Sequence, residues 1–135
     1  MRIIQYDIRR DDYIPVWVDA KLFDRLWSNE ELYVADWIGD PKIGWFTYDR
    51  AGEKKEGIQI ADVSLAIEED KVSIGFTNGR HRTRWMLQHG LKEIPIGVWE
   101  EQIAPGIKAG IISRMVTQND RVNLTTDNRI AVVDI

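Results

Sequence analysis

The sequence predicts an α+β fold, a mixed β-sheet with one helix, Arg80–His89, lying across it. Three observations carry that prediction. Short runs of β-branched and aromatic residues recur along the chain, and they are too short and too irregularly spaced for a helical bundle. Two basic or amphipathic stretches, one after Val18 and one after Gly79, have helical spacing instead. The second of these is entered from a strand through Asn78-Gly79 and left through Gly90 into the apolar run Ile94–Val98, a strand–turn–helix–strand unit.

Taken in order, Met1–Ile8 alternates apolar with polar residues and predicts a first strand. Arg9-Arg10-Asp11-Asp12 predicts a solvated turn, and Ile14–Val18 a second strand. Asp19 is placed to cap a helix whose apolar stripe is Leu22, Phe23 and Leu26, extended by Trp27. Glu30–Trp37 fits either a helix end or a strand. Gly39-Asp40-Pro41 predicts a turn, Ile43–Tyr48 a strand, and the polar stretch Asp49–Gly57 an exposed loop. Ile58–Ile67 and Lys71–Phe76 predict a hairpin turning at Glu68-Glu69-Asp70. Ile94–Val98 is a strand interrupted only by Pro95. Trp99–Ile112 predicts irregular structure and a short helix, broken at Pro105-Gly106. Arg121–Thr126 and Arg129–Val133, joined at Asp127-Asn128, predict a closing hairpin.

With 135 residues and neither a repeat nor a low-complexity linker, the expectation is a single domain over 1–135. Eighteen basic against 22 acidic residues give a net charge of −4, which argues against a non-specific nucleic-acid coat but not against a local basic site. Cys 0 excludes disulfides and thiolate chemistry and is compatible with a reducing cytoplasm, the expected location. Met1-Arg2 opens no signal peptide, and no apolar run is long enough to cross a bilayer, so a membrane partner is not expected. Six tryptophans are many for this length; they belong to a core or to a docking surface.

The chemistry concentrates at Asn78-Gly79-Arg80-His81-Arg82 and Arg84. A helix begins with amide N–H groups that have no partner inside it, and its dipole is positive at that end. Gly79 lets a ligand approach the backbone closely, and the arginines offer forked donors that match phosphate oxygens. No acidic residue lies between Lys71 and Glu93. The residues alone therefore predict a phosphate-binding turn. The competing view is that these arginines simply form a solvated helix face.

The same residues, followed by Ile94-Pro95-Ile96, resemble the signature of the ParB/sulfiredoxin superfamily, in which a Gly-x-(His/Arg)-Arg turn holds nucleotide phosphates. Within that superfamily the chain resembles the plasmid fertility inhibition factor family. Val18-Asp19-Ala20-Lys21-Leu22-Phe23-Asp24-Arg25-Leu26-Trp27 fits that family's Val-Asp-x-x-x-Phe-Asp-x-x-Trp run. The resemblance implies a ParB/sulfiredoxin-like domain acting against conjugative DNA transfer. It places Asn78, Gly79, His81 and Arg82 at the phosphates of ATP or another nucleoside triphosphate, with Mg²⁺, while Arg80 and Arg84 are additions of this sequence. DNA or a protein of the conjugation machinery is the implied partner.

Two departures narrow the resemblance. Arg80 stands where sulfiredoxins carry their catalytic cysteine. ParB partition proteins continue into helix-turn-helix and dimerisation domains, so a sliding clamp is not expected. Whether the chain turns over ATP or DNA stays open. If it does, His81 is the proton carrier, because histidine ordinarily titrates near neutral pH, and Arg82 offsets the developing charge. The nearest carboxylates in sequence for a metal are Asp49, Asp62, Glu68, Glu69 and Asp70, with the last three better read as a hairpin tip. His81 and His89 flank Trp85 at spacings of four and do not make a metal pair. No Walker turn and no Gly-x-Ser-x-Gly elbow is present. The alternative function is a non-catalytic adaptor docking on a protein through its tryptophans.

Overall fold

The computed structural model describes residues 2–4, 13–38, 45, 47–50, 53–56, 59–88, 91–117 and 120–123. Among them are nine strands, β1 (Arg2–Ile4), β2 (Tyr13–Asp19), β3 (Thr47–Arg50), β4 (Glu53–Glu56), β5 (Ala61–Glu68), β6 (Lys71–Asn78), β7 (Glu93–Trp99), β8 (Ile112–Met115) and β9 (Arg121–Asn123). Three α-helices accompany them, α1 (Ala20–Trp27), α2 (Arg80–Leu87) and α3 (Ile103–Lys108).

The central sheet has five strands in the order β6-β5-β7-β2-β8. Only β5 and β7 run parallel, so the sheet is mixed, as the sequence predicts. Its middle is covered on both faces: every residue from Ile94 to Val98 is buried. That is why this stretch is continuously apolar and shows no alternation. Pro95 does not interrupt β7, which runs through it opposite Trp17 of β2. Proline has no N–H to give, and pairing with β5 begins one residue later, at Ile96 opposite Ala61.

Asp19 caps α1, accepting a 2.8 Å hydrogen bond from the Leu22 amide. The helix buries Ala20, Phe23 and Trp27, with Leu22 and Leu26 at the margin of the core. Phe23 and Trp27 meet Phe76 of β6 at centroid distances of 6.0 and 4.8 Å, which docks α1 on the strand that feeds α2. Such ring pairs contribute about 0.5–1.5 kcal/mol each beyond their buried area.

Several sequence expectations are corrected. The polar stretch after Ile43–Tyr48 is not simply a loop: β3 and β4 pair antiparallel, Thr47 opposite Glu56 and Arg50 opposite Glu53. Pro105-Gly106 does not break a helix but lies in the first turn of α3, where a missing N–H costs no internal bond. Gly106 also permits close packing, since a Cβ there would lie 2.4 Å from Ile112 Cδ1. The run ending at Ile112 leads into an unforeseen edge strand, β8, paired with β2. β9 pairs antiparallel with β1, a pairing of regions distant in sequence that was not foreseen. Glu30–Trp37 is neither helix nor strand. The expectations for Arg9–Asp12, Gly39–Pro41, Arg129–Val133, His89 and Gly90 lie outside the described residues. Among the described residues no helix is long and apolar enough to cross a membrane.

Candidate anion site at the start of α2

The chain passes from β6 into α2 through Gly79, whose φ of 95° lies in the left-handed region. Space demands glycine as well: a Cβ there would lie 2.7 Å from Ala61 Cβ and 3.1 Å from Arg82 Cζ. Gly79 is the N-cap residue and supplies no side-chain cap to the helix. The first-turn N–H groups of α2 therefore receive no acceptor from their own cap residue, which is the local condition for anion binding.

Asn78 and Arg82 meet beneath this turn. Arg82 Nη2 donates to Asn78 Oδ1 at 2.9 Å and to the Ile60 carbonyl at 3.3 Å. Asn78 Nδ2 in turn donates to Asp62 Oδ2 at 2.8 Å. Asp62 is buried at the start of β5. His81 is exposed, and its ring stands edge-on to Trp37 at 5.6 Å. The structure thus brings Asn78, Gly79, Arg82 and Asp62 together.

Arg80 and Arg84 point to other work. Arg80 makes a forked pair with Glu30, Nε to Oε1 and Nη2 to Oε2, both at 2.9 Å. The hydrogen bond from Arg80 holds the Glu30 carboxyl below its ordinary range, outweighing its partial burial. Arg84 is buried and donates to the Val34 carbonyl at 2.6 Å, to the Tyr33 hydroxyl at 2.7 Å and to both oxygens of Asp24. Its guanidinium lies 5.2 Å from the ring centres of both Trp27 and Tyr33. Burial pushes the Asp24 carboxyl up, but hydrogen bonds from Arg84 and Tyr33 bring it below its ordinary value.

One turn further on, Gln88 holds the Trp37 backbone on both sides, accepting from its N–H at 2.7 Å and donating to its carbonyl at 3.2 Å. Arg80, Arg84 and Gln88, at spacings of four, therefore form a row that fastens the segment Glu30–Trp37 along α2. The sequence reading missed Glu30 and Gln88, named Asp24 only within the family run, and weighed Asp62 only as a metal ligand. The four-residue spacing was visible, but its acceptors lie 50 or more residues away along the chain.

Four of the six tryptophans, Trp17, Trp27, Trp45 and Trp85, are buried, Trp37 is half-buried, and Trp99 is exposed. That makes them mainly core residues and leaves little for a tryptophan docking surface. Among the described residues no group of three or more His, Asp or Glu side chains is arranged to hold a metal.

The fold and this site define a mixed α+β protein whose glycine turn delivers an uncapped helix start against the middle of the sheet. Residues 15–111 match the family described as plasmid fertility inhibition factor, and the chain belongs to that family. Among solved structures it is similar to oncogenic suppression activity protein, a plasmid fertility inhibition factor solved as a gold(I) cyanide derivative. That likeness has a TM-score of 0.52 at 20% identity, over 84% of this chain and 69% of the other, and it speaks for the fold alone. No curated protein matches the chain.

Proposed function

We propose that the chain acts against conjugative DNA transfer from the cytoplasm, and that it does so with a nucleotide or other phosphate group held at the start of α2 in a ParB/sulfiredoxin-like domain. The observation that carries this reading is the uncapped, left-handed entry into α2 at Gly79, with Arg82 beneath it. Arg80 and Arg84 already hold Glu30 and Asp24. The phosphate contacts proposed are the amides after Gly79 and Arg82, which lies against the turn while also donating to Asn78 and Ile60, with exposed His81 beside them. A nucleoside triphosphate fits this set through its oxygens, and Mg²⁺ would come with the nucleotide, offsetting its charge.

Calorimetric titration with ATP, CTP and GTP, with and without Mg²⁺, tests the reading. Binding of at least one nucleotide is expected, weakened by Arg82→Ala by about 1.5–3 kcal/mol, the scale of a hydrogen bond to a charged group. A folded Arg82→Ala protein that binds as wild type removes Arg82 from the site. No heat with any nucleotide or with inorganic phosphate overturns the reading.

A further inference from the structure

Asp62 has a relative exposure of 2%, and a carboxylate so placed is costly unless its oxygens are satisfied. A register shift at Asp62/Val63 supplies the means. Pairing passes from Asp62 opposite Asn78 directly to Val63 opposite Phe76, so Thr77 is left over on β6. This bulge sets the Asn78 side chain beside Asp62, in keeping with bulges re-aiming side chains near sites. Asn78 Nδ2 then donates to Asp62 Oδ2 at 2.8 Å, while its Oδ1 accepts from Arg82 Nη2 at 2.9 Å. The Asp62 amide reaches the same Oδ1 at 3.4 Å.

The direction of this chain follows from donor chemistry. An ionised carboxylate only accepts, and a guanidinium only donates. Asn78, set between them, must turn its NH₂ to Asp62 and its oxygen to Arg82. Either end alone would favour this orientation; both together lock it. The Arg82 guanidinium is thereby kept against the Gly79 turn, its Cζ 3.1 Å from where a Cβ on Gly79 would stand.

We infer that Asp62 is a positioning residue that fixes the amide of Asn78 and, through it, aims Arg82 at the anion held by α2. This rests on the proposal that the turn binds phosphate. It gives Asp62 a role distinct from holding a metal, that of orienting Asn78. Asp62→Asn keeps the shape but offers a side chain that can donate or accept, so one of the two ends that fix Asn78 is weakened.

The test compares wild type, Asp62→Asn, Asn78→Ala, Arg82→Ala and the Asp62→Asn/Arg82→Ala double variant. Two readouts are used: the Arg82 guanidinium ¹⁵N–¹H signals without ligand, and ATP titration with Mg²⁺. Asp62→Asn should shift or broaden the Arg82 signals and weaken ATP roughly 3- to 10-fold, the scale of one hydrogen bond. The double variant should bind no worse than Arg82→Ala, because Asp62 acts only through Arg82. Unchanged Arg82 signals in Asp62→Asn, or losses in affinity that simply add, overturn the inference. If Asp62→Asn does not fold, Asn78→Ala carries the spectral test, and an undisturbed Arg82 signal there is equally fatal. Should Arg82→Ala bind ATP as wild type, Arg82 leaves the phosphate site and the inference that it is aimed at the anion falls, while the ligand-free spectra still decide whether Asp62 orients Arg82.

Discussion

Arg82 and Arg84 stand two positions apart on α2 and illustrate how burial sets what similar side chains do. Arg84 is surrounded by Asp24, Tyr33, Val34 and the Trp27 ring, so its charge is spent inside the protein. Removing it leaves Asp24 without its main partner. Arg84→Ala should therefore cost about 2–3 kcal/mol, below the usual scale for a broken buried pair because water reaches about a third of the Asp24 side chain. Urea unfolding reads this directly, and a loss under about 0.5 kcal/mol would contradict the anchoring role. His81 is the opposite case, exposed at the same helix start. If the protein turns over ATP or DNA, His81→Ala should lower the rate by about 10²–10⁴-fold, the range for general acid–base help, with nucleotide affinity nearly intact. Rates for wild type and variant that both equal a buffer control would instead favour the adaptor alternative.

The elements show where sequence reasoning succeeds and where it stops. Asp19 as a cap, the Phe23/Trp27 face and the β5–β6 hairpin were legible because each is fixed by neighbours within a few residues. So was the glycine turn into α2, since a strand, Asn-Gly and a basic helical run are all local signals. Arg80 and Arg84 were read with the phosphate-binding turn and Gln88 was not singled out, because the groups that answer this row lie far back in the chain. Edge strand β8 and the β1–β9 pairing failed for the same reason: short strands are defined by their partners more than by their own residues. The β3–β4 pair was hidden by polar composition. The row on α2 also makes a prediction at this scale. Gln88→Ala removes both bonds to the Trp37 backbone, so amide exchange at Trp37 should rise about fivefold, equivalent to roughly 1 kcal/mol. Exchange at Val98, in the sheet, should not change. Equal acceleration at both would mean that the segment is not fastened separately and that the variant loosens the whole protein.

Across the whole molecule, acidic side chains join parts of the chain that sequence keeps apart. Glu30 meets Arg80, Asp24 meets Arg84, and Asp120 ties the Trp17 indole and Arg114 to the Thr117 amide. All three carboxyls are held below their ordinary values: Glu30 chiefly by its hydrogen bond from Arg80, and Asp24 and Asp120 because their hydrogen bonds outweigh burial, which acts upward. The sign of the pH effect follows. A carboxyl whose pKa is lower folded than unfolded binds fewer protons in the folded state, so its contribution is complete above the unfolded value. For Glu30 that value is 4.5, and for Asp24 and Asp120 it is 3.8. Stability should accordingly be insensitive to these three groups above about pH 5 and fall as the pH drops through their lowered folded values. Urea midpoints taken downward from pH 6 give the acid limb. Glu30→Gln removes one of the three titrations, so it should lower the midpoint at pH 6 while flattening the limb. A variant with the same slope as wild type would show that the Arg80–Glu30 pair contributes nothing to acid sensitivity, and that α2 holds the Glu30–Trp37 segment through Arg84 and Gln88 alone.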